Sequence, residues 1–255
     1  MALTLRKQGQ TQSSGPDILN IVHKIALSQN KQAVESRPMA RRSYGQICGL
    51  SRALEIVGER WALLIIRDLM AGPRRFTDLR QGLPRIPTNV LSARLKELEQ
   101  ANVLQRRILP RPATAVVYEL TDYGRELDEI LMAFGRWGAQ SMGPPAADDI
   151  YTSGSLIQAM RACYLGPHTG SQPYDKPLNY ELRVMDVVIR VTVHDGQLTV
   201  GEGPQEDPDL VIETAHGFAA LILGKISAPA AIENGSVRVT GDPELLTEFS
   251  NTFRA

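Results

Sequence analysis

Pro87-Thr-Asn-Val-Leu-Ser-Ala-Arg-Leu-Lys-Glu-Leu-Glu-Gln100 is the stretch on which the fold turns. Leu91, Leu95 and Leu98 recur at i, i+4 and i+7, the spacing of one buried helical stripe. Pro87 stands where a helix begins, because the amide hydrogen it lacks has no helical partner there. At 100° per residue from Leu91, the residues Asn89, Ser92, Ala93 and Lys96 turn away from the core. A helix with one leucine face and one small, polar, mildly basic face is built to lie on a core and present itself to something polar.

Working outward, Ile47, Leu50, Ala53, Leu54 and Val57 form the stripe of a first helix, broken at Gly58. Trp61 to Leu69 resumes a helix that Gly72-Pro73 ends, and a short third helix buries Phe76 and Leu79. After the Pro87 helix, Val103–Leu109 and Ala115–Leu120 read as two β runs joined by the proline-stiffened tip Pro110-Arg111-Pro112. Thr121-Asp122 is placed to cap a long helix running through Ile130 and Phe134 to Trp137. Three helices, a recognition-type helix, a basic hairpin and a long helix make a winged helix-turn-helix, mainly α with a β-hairpin wing. Such a helix fits the DNA major groove while the hairpin reaches adjacent phosphates.

Charge distribution agrees. The 255 residues carry 28 basic and 28 acidic side chains, yet residues 41–111 hold 14 basic against 6 acidic. A local basic block, masked by an acidic remainder, is the footprint that matters to a polyanion. Arg74, Arg75, Arg106, Arg107 and Arg111 flank the helix as phosphate contacts, with Thr88 and Arg94 alongside. Asn89, Ser92 and Lys96 face outward as candidates for reading base edges. The expected partner is double-stranded DNA.

Gly143-Pro144-Pro145 opens a linker over 143–152, and the period then changes. A helix over Leu156–Tyr164 precedes strand-like runs at 182–184, 187–193, 198–200 and 210–214. Asp195-Gly196 supplies a tight-turn signal. With a helix over Phe218–Leu223, a strand at Val237 and a C-terminal helix opened by Pro243, residues 153–255 read as an α+β domain with a mostly antiparallel sheet. Residues 1–43 are an extension, polar and disordered over 1–15, with a short amphipathic helix over Asp17–Leu27. That helix packs on a partner subunit or belongs to a stretch upstream of a start near Met39.

The residues also resemble a known family. Ile47-Cys48, Ala53-Leu-Glu-Ile-Val-Gly-Glu-Arg-Trp61, Leu63-Leu-Ile-Ile-Arg-Asp-Leu69, Gly72-Pro-Arg-Arg-Phe-Thr-Asp-Leu79, Leu91-Ser-Ala-Arg-Leu-Lys-Glu-Leu-Glu99 and Tyr118-Glu-Leu-Thr-Asp-Tyr-Gly-Arg125 are similar, in order, to HxlR-type transcriptional regulators. The resemblance spans about residues 44–140. It implies a bacterial or archaeal homodimer, over 44–142, whose terminal helices build the dimer. Asn89 departs from the basic residue often found at that place, so an operator sequence does not carry over. Cys48 matches a family cysteine that in some members senses oxidants. Against that stands the ordinary role of a free cysteine as a small buried hydrophobe. Asp207-Pro-Asp-Leu-Val-Ile-Glu-Thr214, Phe218-Ala-Ala-Leu-Ile-Leu-Gly-Lys225 and Asn234-Gly-Ser-Val-Arg-Val-Thr-Gly-Asp242 are similar to sterol-carrier-protein-like domains. That likeness implies a cavity for an apolar effector, with Val188, Ile212, Phe218, Leu221 and Phe249 as lining candidates. A second reading makes the chain a lipid carrier that uses the winged helix only to dimerise.

No catalytic motif is found. Gly224-Lys225-Ile226-Ser227 lacks the glycine a phosphate loop needs at Ala219, and Gly201-Glu-Gly203 lacks the third glycine of a dinucleotide fingerprint. His23, His168, His194 and His216 have no metal-ligand spacing. The expectation is a non-enzymatic, cytoplasmic regulator with no cofactor, no metal and no membrane partner. Two distant cysteines, no apolar run of transmembrane length and no signal-peptide pattern support that placement.

Overall fold

The computed structural model describes residues 43–110, 114–143, 146, 148–166 and 176–254. The stretch 1–15 expected to be disordered and the helix expected over Asp17–Leu27 lie outside these residues, as do Arg111, His23 and His168. Residues up to Gln46 form one unit, whose described part, 43–46, has no regular structure; a second compact unit begins at Ile47.

In the second unit, α1 (Gly49–Val57) and α2 (Ala62–Met70) are separated by a turn in which Trp61 takes φ +80°. The short strand β1 (Arg74–Arg75) leads into α3 (Phe76–Gly82), and α4 spans Thr88–Gln100 from its cap at Pro87. Leu91, Leu95 and Leu98 are all buried, in one core with Ile65, Ile66, Leu69 and Leu79. Strands β2 (Leu104–Ile108) and β3 (Val116–Leu120) pair antiparallel, and β1 adds to the far side of β3 with Arg74 opposite Tyr118. The wing is therefore a three-stranded sheet.

The long helix expected after Thr121 is two pieces, α5 (Asp122–Arg125) and α6 (Asp128–Ala139). Thr121 Oγ1 does accept from the Gly124 amide at 3.1 Å. The break follows from a tightened turn, in which Leu127 N donates to Gly124 O, three residues back.

The C-terminal half opens with α7 (Ser153–Cys163), capped by reciprocal bonds between Thr152 and Ser155. A five-stranded sheet follows, from β4 (Leu178–Val184), β5 (Val187–His194), β6 (Gln197–Glu202), β7 (Leu210–Thr214) and β8 (Arg238–Gly241), in the order β6-β5-β4-β7-β8. Only the central β4–β7 pairing is parallel. Asp195 and Gly196 both sit at positive φ, as a two-residue hairpin turn requires. Helices α8 (Gly217–Ile222), α9 (Ala228–Glu233) and α10 (Glu244–Thr252) complete the layer. Tyr180, Leu182, Ile212, Phe218, Leu246 and Phe249 belong to its core.

One face of α7 buries Leu156, Ile157 and Met160 in that core. Its other residues meet the winged helix at close range. Gly154 lies against Asp68 of α2, so near that a methyl there would stand 2.1 Å from the carboxylate. Gln158 Nε2 donates to Leu131 O at 3.2 Å, and Arg161 forms a two-pronged ion pair with Asp128.

Candidate nucleic-acid interface

Thr88, Asn89, Ser92, Ala93 and Lys96 are exposed on α4, Ala93 among them as a small spacer. The buried leucines hold that side outward by geometry alone, since a helix with one face in the core has no other way to turn. Ser92 Oγ donates to Thr88 O at 3.0 Å, which commits its hydrogen to the helix and leaves its oxygen as an acceptor. Lys96 has no ion-pair partner among the described residues.

The arginines divide. Arg75 and Arg106 are exposed, and the Arg106 guanidinium lies 5.9 Å from the centre of the Tyr118 ring directly across the wing. Arg107 is about half exposed and donates to Glu119 at 2.9 Å. Arg74 is committed elsewhere: its two terminal nitrogens grip both oxygens of Glu202, on β6 of the C-terminal half, at 2.9 and 2.8 Å. That pairing raises its pKa further above the ordinary arginine value. Arg94 is likewise withdrawn, its side chain lodged between Glu97 and Glu59 with Nε buried and unpartnered. Arg94 thus ties α4 to the α1–α2 turn and is not part of the outward face. Arg80, exposed on α3, is a further cation that sequence reasoning misses, because it carries no spacing signal of its own.

Beneath the β1–α3 junction, Asp68 is buried, with Oδ1 accepting from Arg67 Nε at 2.9 Å and Oδ2 lacking a partner. Burial pushes its carboxyl above the usual range, and the Arg67 charge only partly opposes this.

Cys48 is exposed at the start of α1, contrary to its reading as a small buried hydrophobe. The backbone amides of Ser51 and Leu50 draw its thiol below the ordinary value, although no capping hydrogen bond closes. Cys163 is buried, and burial lifts its thiol to about 11.

Of the five residues expected to line a ligand cavity, Phe218 is among the walls of an apolar cavity; Ile212, Leu221 and Phe249 are buried in the core, and Val188 is half-buried on β5. This apolar cavity, of about 510 Å³, lies between α6, α7 and α8, and Tyr151, Leu156, Cys163, Phe218 and Ile222 are among its walls. Sequence reading misses it because its walls come from three elements distant in the chain.

Among known proteins, the model of the HxlR-like helix-turn-helix family matches residues 56–145. The HTH-type transcriptional regulator YodB of Bacillus subtilis is 37% identical over 95 residues, which are 37% of this chain and 85% of YodB. The chain belongs to the HxlR-like helix-turn-helix family. A second relative, the uncharacterized HTH-type transcriptional regulator Rv3095 of Mycobacterium tuberculosis, is 36% identical over 129 residues, covering 49% of this chain and 80% of its own. The solved reduced form of YodB from B. subtilis aligns with 40% of this HxlR chain and all of its own, at 35% identity and a TM-score of 0.35. Residues 171–254 match the SCP-2 sterol transfer family, so this HxlR protein couples an N-terminal helix-turn-helix to a C-terminal mixed α/β domain of that kind. Among the described residues no helix is long and apolar enough to cross a membrane.

Proposed function

We propose that the protein is a dimeric transcriptional regulator that inserts α4 into the major groove of operator DNA, and that its C-terminal domain modulates this binding. The observation that carries the reading is the outward face of α4, polar and exposed, with exposed cations on both sides of it. Thr88, Asn89, Ser92 and Lys96 face the groove, while Arg75, Arg106 and Arg107 sit where backbone phosphates run. Arg94 positions α4 from behind. Arg111 belongs with the wing contacts by sequence.

Dimerisation is supported by apolar surface that the described residues leave uncovered. Ile47, Leu50 and Leu54 at α1 and Ile130, Phe134 and Trp137 on α6 are exposed, Trp137 by 71%. Apolar stripes of this kind on two helices mark an interface. Two α4 helices then address half-sites about one helical turn, roughly 34 Å, apart. Cys48, exposed and with a lowered thiol, is a second point of control, through its oxidation or alkylation. The protein acts in the cytoplasm, on DNA and on itself.

The test is a fluorescence-anisotropy titration of DNA from the region adjoining its own gene, at two salt concentrations, with sedimentation reading the oligomer. Tight, competitor-resistant binding with a steep salt slope is expected. Lys96→Ala with Arg107→Ala should weaken it and flatten the slope by roughly 0.9 for each phosphate no longer neutralised. Unchanged affinity and slope in that variant would remove both residues from the interface.

A further inference from the structure

We propose that the cavity between α6, α7 and α8 is a binding site for an uncharged or cationic apolar small molecule, and that it discriminates against carboxylate ligands. The site gives a place and a chemistry to the modulating ligand, and it rests on the regulator reading only for its effect on DNA.

At about 510 Å³ the cavity is of the size that holds small ligands, which runs from about 300 to 1,000 Å³. Its floor is hydrocarbon and aromatic. Leu156, Phe218 and Ile222 come from the C-terminal core, and the Tyr151 ring stands edge-on to Phe218 with centroids 6.0 Å apart. Ala139 from α6 and Ala159 from α7 are small walls of the seam, and Gly135 lets α6 approach α7 closely, since a Cβ there would stand 2.6 Å from Gln158 Nε2. The polar lining is sparse: Asp149 and Tyr151 adjoin, and Gln158 and Ser155 have their side chains engaged with Leu131 O and with Thr152. No lysine, arginine or histidine lines the cavity, and Asp149 is its sole carboxylate among the described residues. A fatty-acid carboxylate would find no cation in the lining, Lys225 standing outside it with Nζ donating to Met142 O at 3.1 Å, and would meet a like charge at Asp149; both effects oppose it. An alcohol loses only water contacts that Tyr151 and Asp149 replace, and an ammonium gains an opposite charge.

Because α6 supplies one wall and also carries the exposed Phe134 and Trp137, a ligand wedged against Gly135 and Ala139 acts on the helix proposed to set dimer geometry. Binding there shifts DNA affinity only to the extent that the ligand prefers one geometry.

The neutral fluorophore N-phenyl-1-naphthylamine, added to the full chain, reports occupancy, and 1-decanol, decylamine and decanoate at pH 8 compete for it. Decanol and decylamine should displace the probe at least about tenfold better than decanoate. Ala159→Phe should reduce probe uptake by blocking the seam. Asp149→Asn should abolish the advantage of decylamine over decanol, which keeps the charge argument testable if the larger side chain disturbs folding. Decanoate competing as well as decanol would overturn the proposal. So would probe uptake unchanged in Ala159→Phe, or no uptake at all because residues 1–42 or a second copy fill the cavity. DNA titrations with and without decanol are read separately. Occupancy with unaltered DNA affinity leaves the site standing and removes its regulatory role, whereas DNA binding without occupancy removes the site and leaves the regulator.

Discussion

Two cysteines in one chain behave as opposites for physical reasons that lie within a few ångströms of each sulfur. Cys48 meets solvent and the amide end of α1, so a larger share of its thiol is ionised at neutral pH. Cys163, walled in and lifted to about 11, is almost wholly protonated. Iodoacetamide at pH 7.5 should therefore label Cys48 well before Cys163, whose thiol is almost wholly protonated although it lines the cavity, as read by peptide mass spectrometry; equal rates would contradict the lifted thiol of Cys163. Asp68 gives a second residue-scale test. Its folded pKa is raised by burial, with the Arg67, Arg74 and Glu202 charges around it. The folded state then holds a proton that the unfolded chain releases near pH 4. Stability from this group is present at low pH and declines as pH rises through the raised value. The melting temperature of Asp68→Asn minus that of the native chain should increase from pH 4 to pH 7, and a flat difference would show that Asp68 is not desolvated.

At the scale of elements, α4 and the wing are legible in the sequence because each carries its own period, leucines at helical spacing in one and alternation bounded by prolines in the other. The strand β1 is not, since two residues have no period, and it becomes a strand only by pairing with β3. Helix α9 escapes a reading by periodicity because it is six residues long, although Ser227 caps it and Pro229 stands in its first turn. The stripe of α1 is legible as apolar, but periodicity cannot tell a chain's own core from a surface awaiting a second copy. The α5–α6 corner shows a constraint no pattern announces. A Cβ on Gly124 would stand 2.0 Å from Val103 O, backbone that cannot move without breaking the Thr121 N to Val103 O bond at 3.1 Å. Gly124→Ala should cost at least about 1–3 kcal/mol in denaturant unfolding, as overpacking does. A change below about 0.5 kcal/mol, within the usual range of surface substitutions, would mean the corner yields.

For the whole molecule, charge pairs and a close glycine contact at Gly154 tie the two halves together. Arg74 with Glu202 and Arg161 with Asp128 cross the join, Arg85 with Asp148 ties the linker to the winged helix, and the apolar cavity lies beside α7. The candidate ligand site is unreadable in the sequence for this reason, as small residues from α6 and α7 look like helix filler until the fold brings them face to face. Arg74 is the telling case. Its place beside the recognition helix reads as a phosphate contact, yet it commits its charge to a carboxylate of the other half. Glu202→Gln should free it, tightening DNA binding at low salt and steepening the log–log salt slope by about 0.9, the value of one further phosphate neutralised. No change would place Arg74 off the DNA path.

The Arg74–Glu202 pair also makes ionic strength act in two places at once. Salt disperses the ion atmosphere of DNA, and it screens a partly exposed pair such as this one as well. Each increment of salt that loosens the protein's grip on DNA also hands an arginine back to it. Under the proposed function Glu202 is a tethered counter-ion that competes with phosphate inside the same molecule, and DNA binding by the native chain should respond less to ionic strength than its count of basic residues implies.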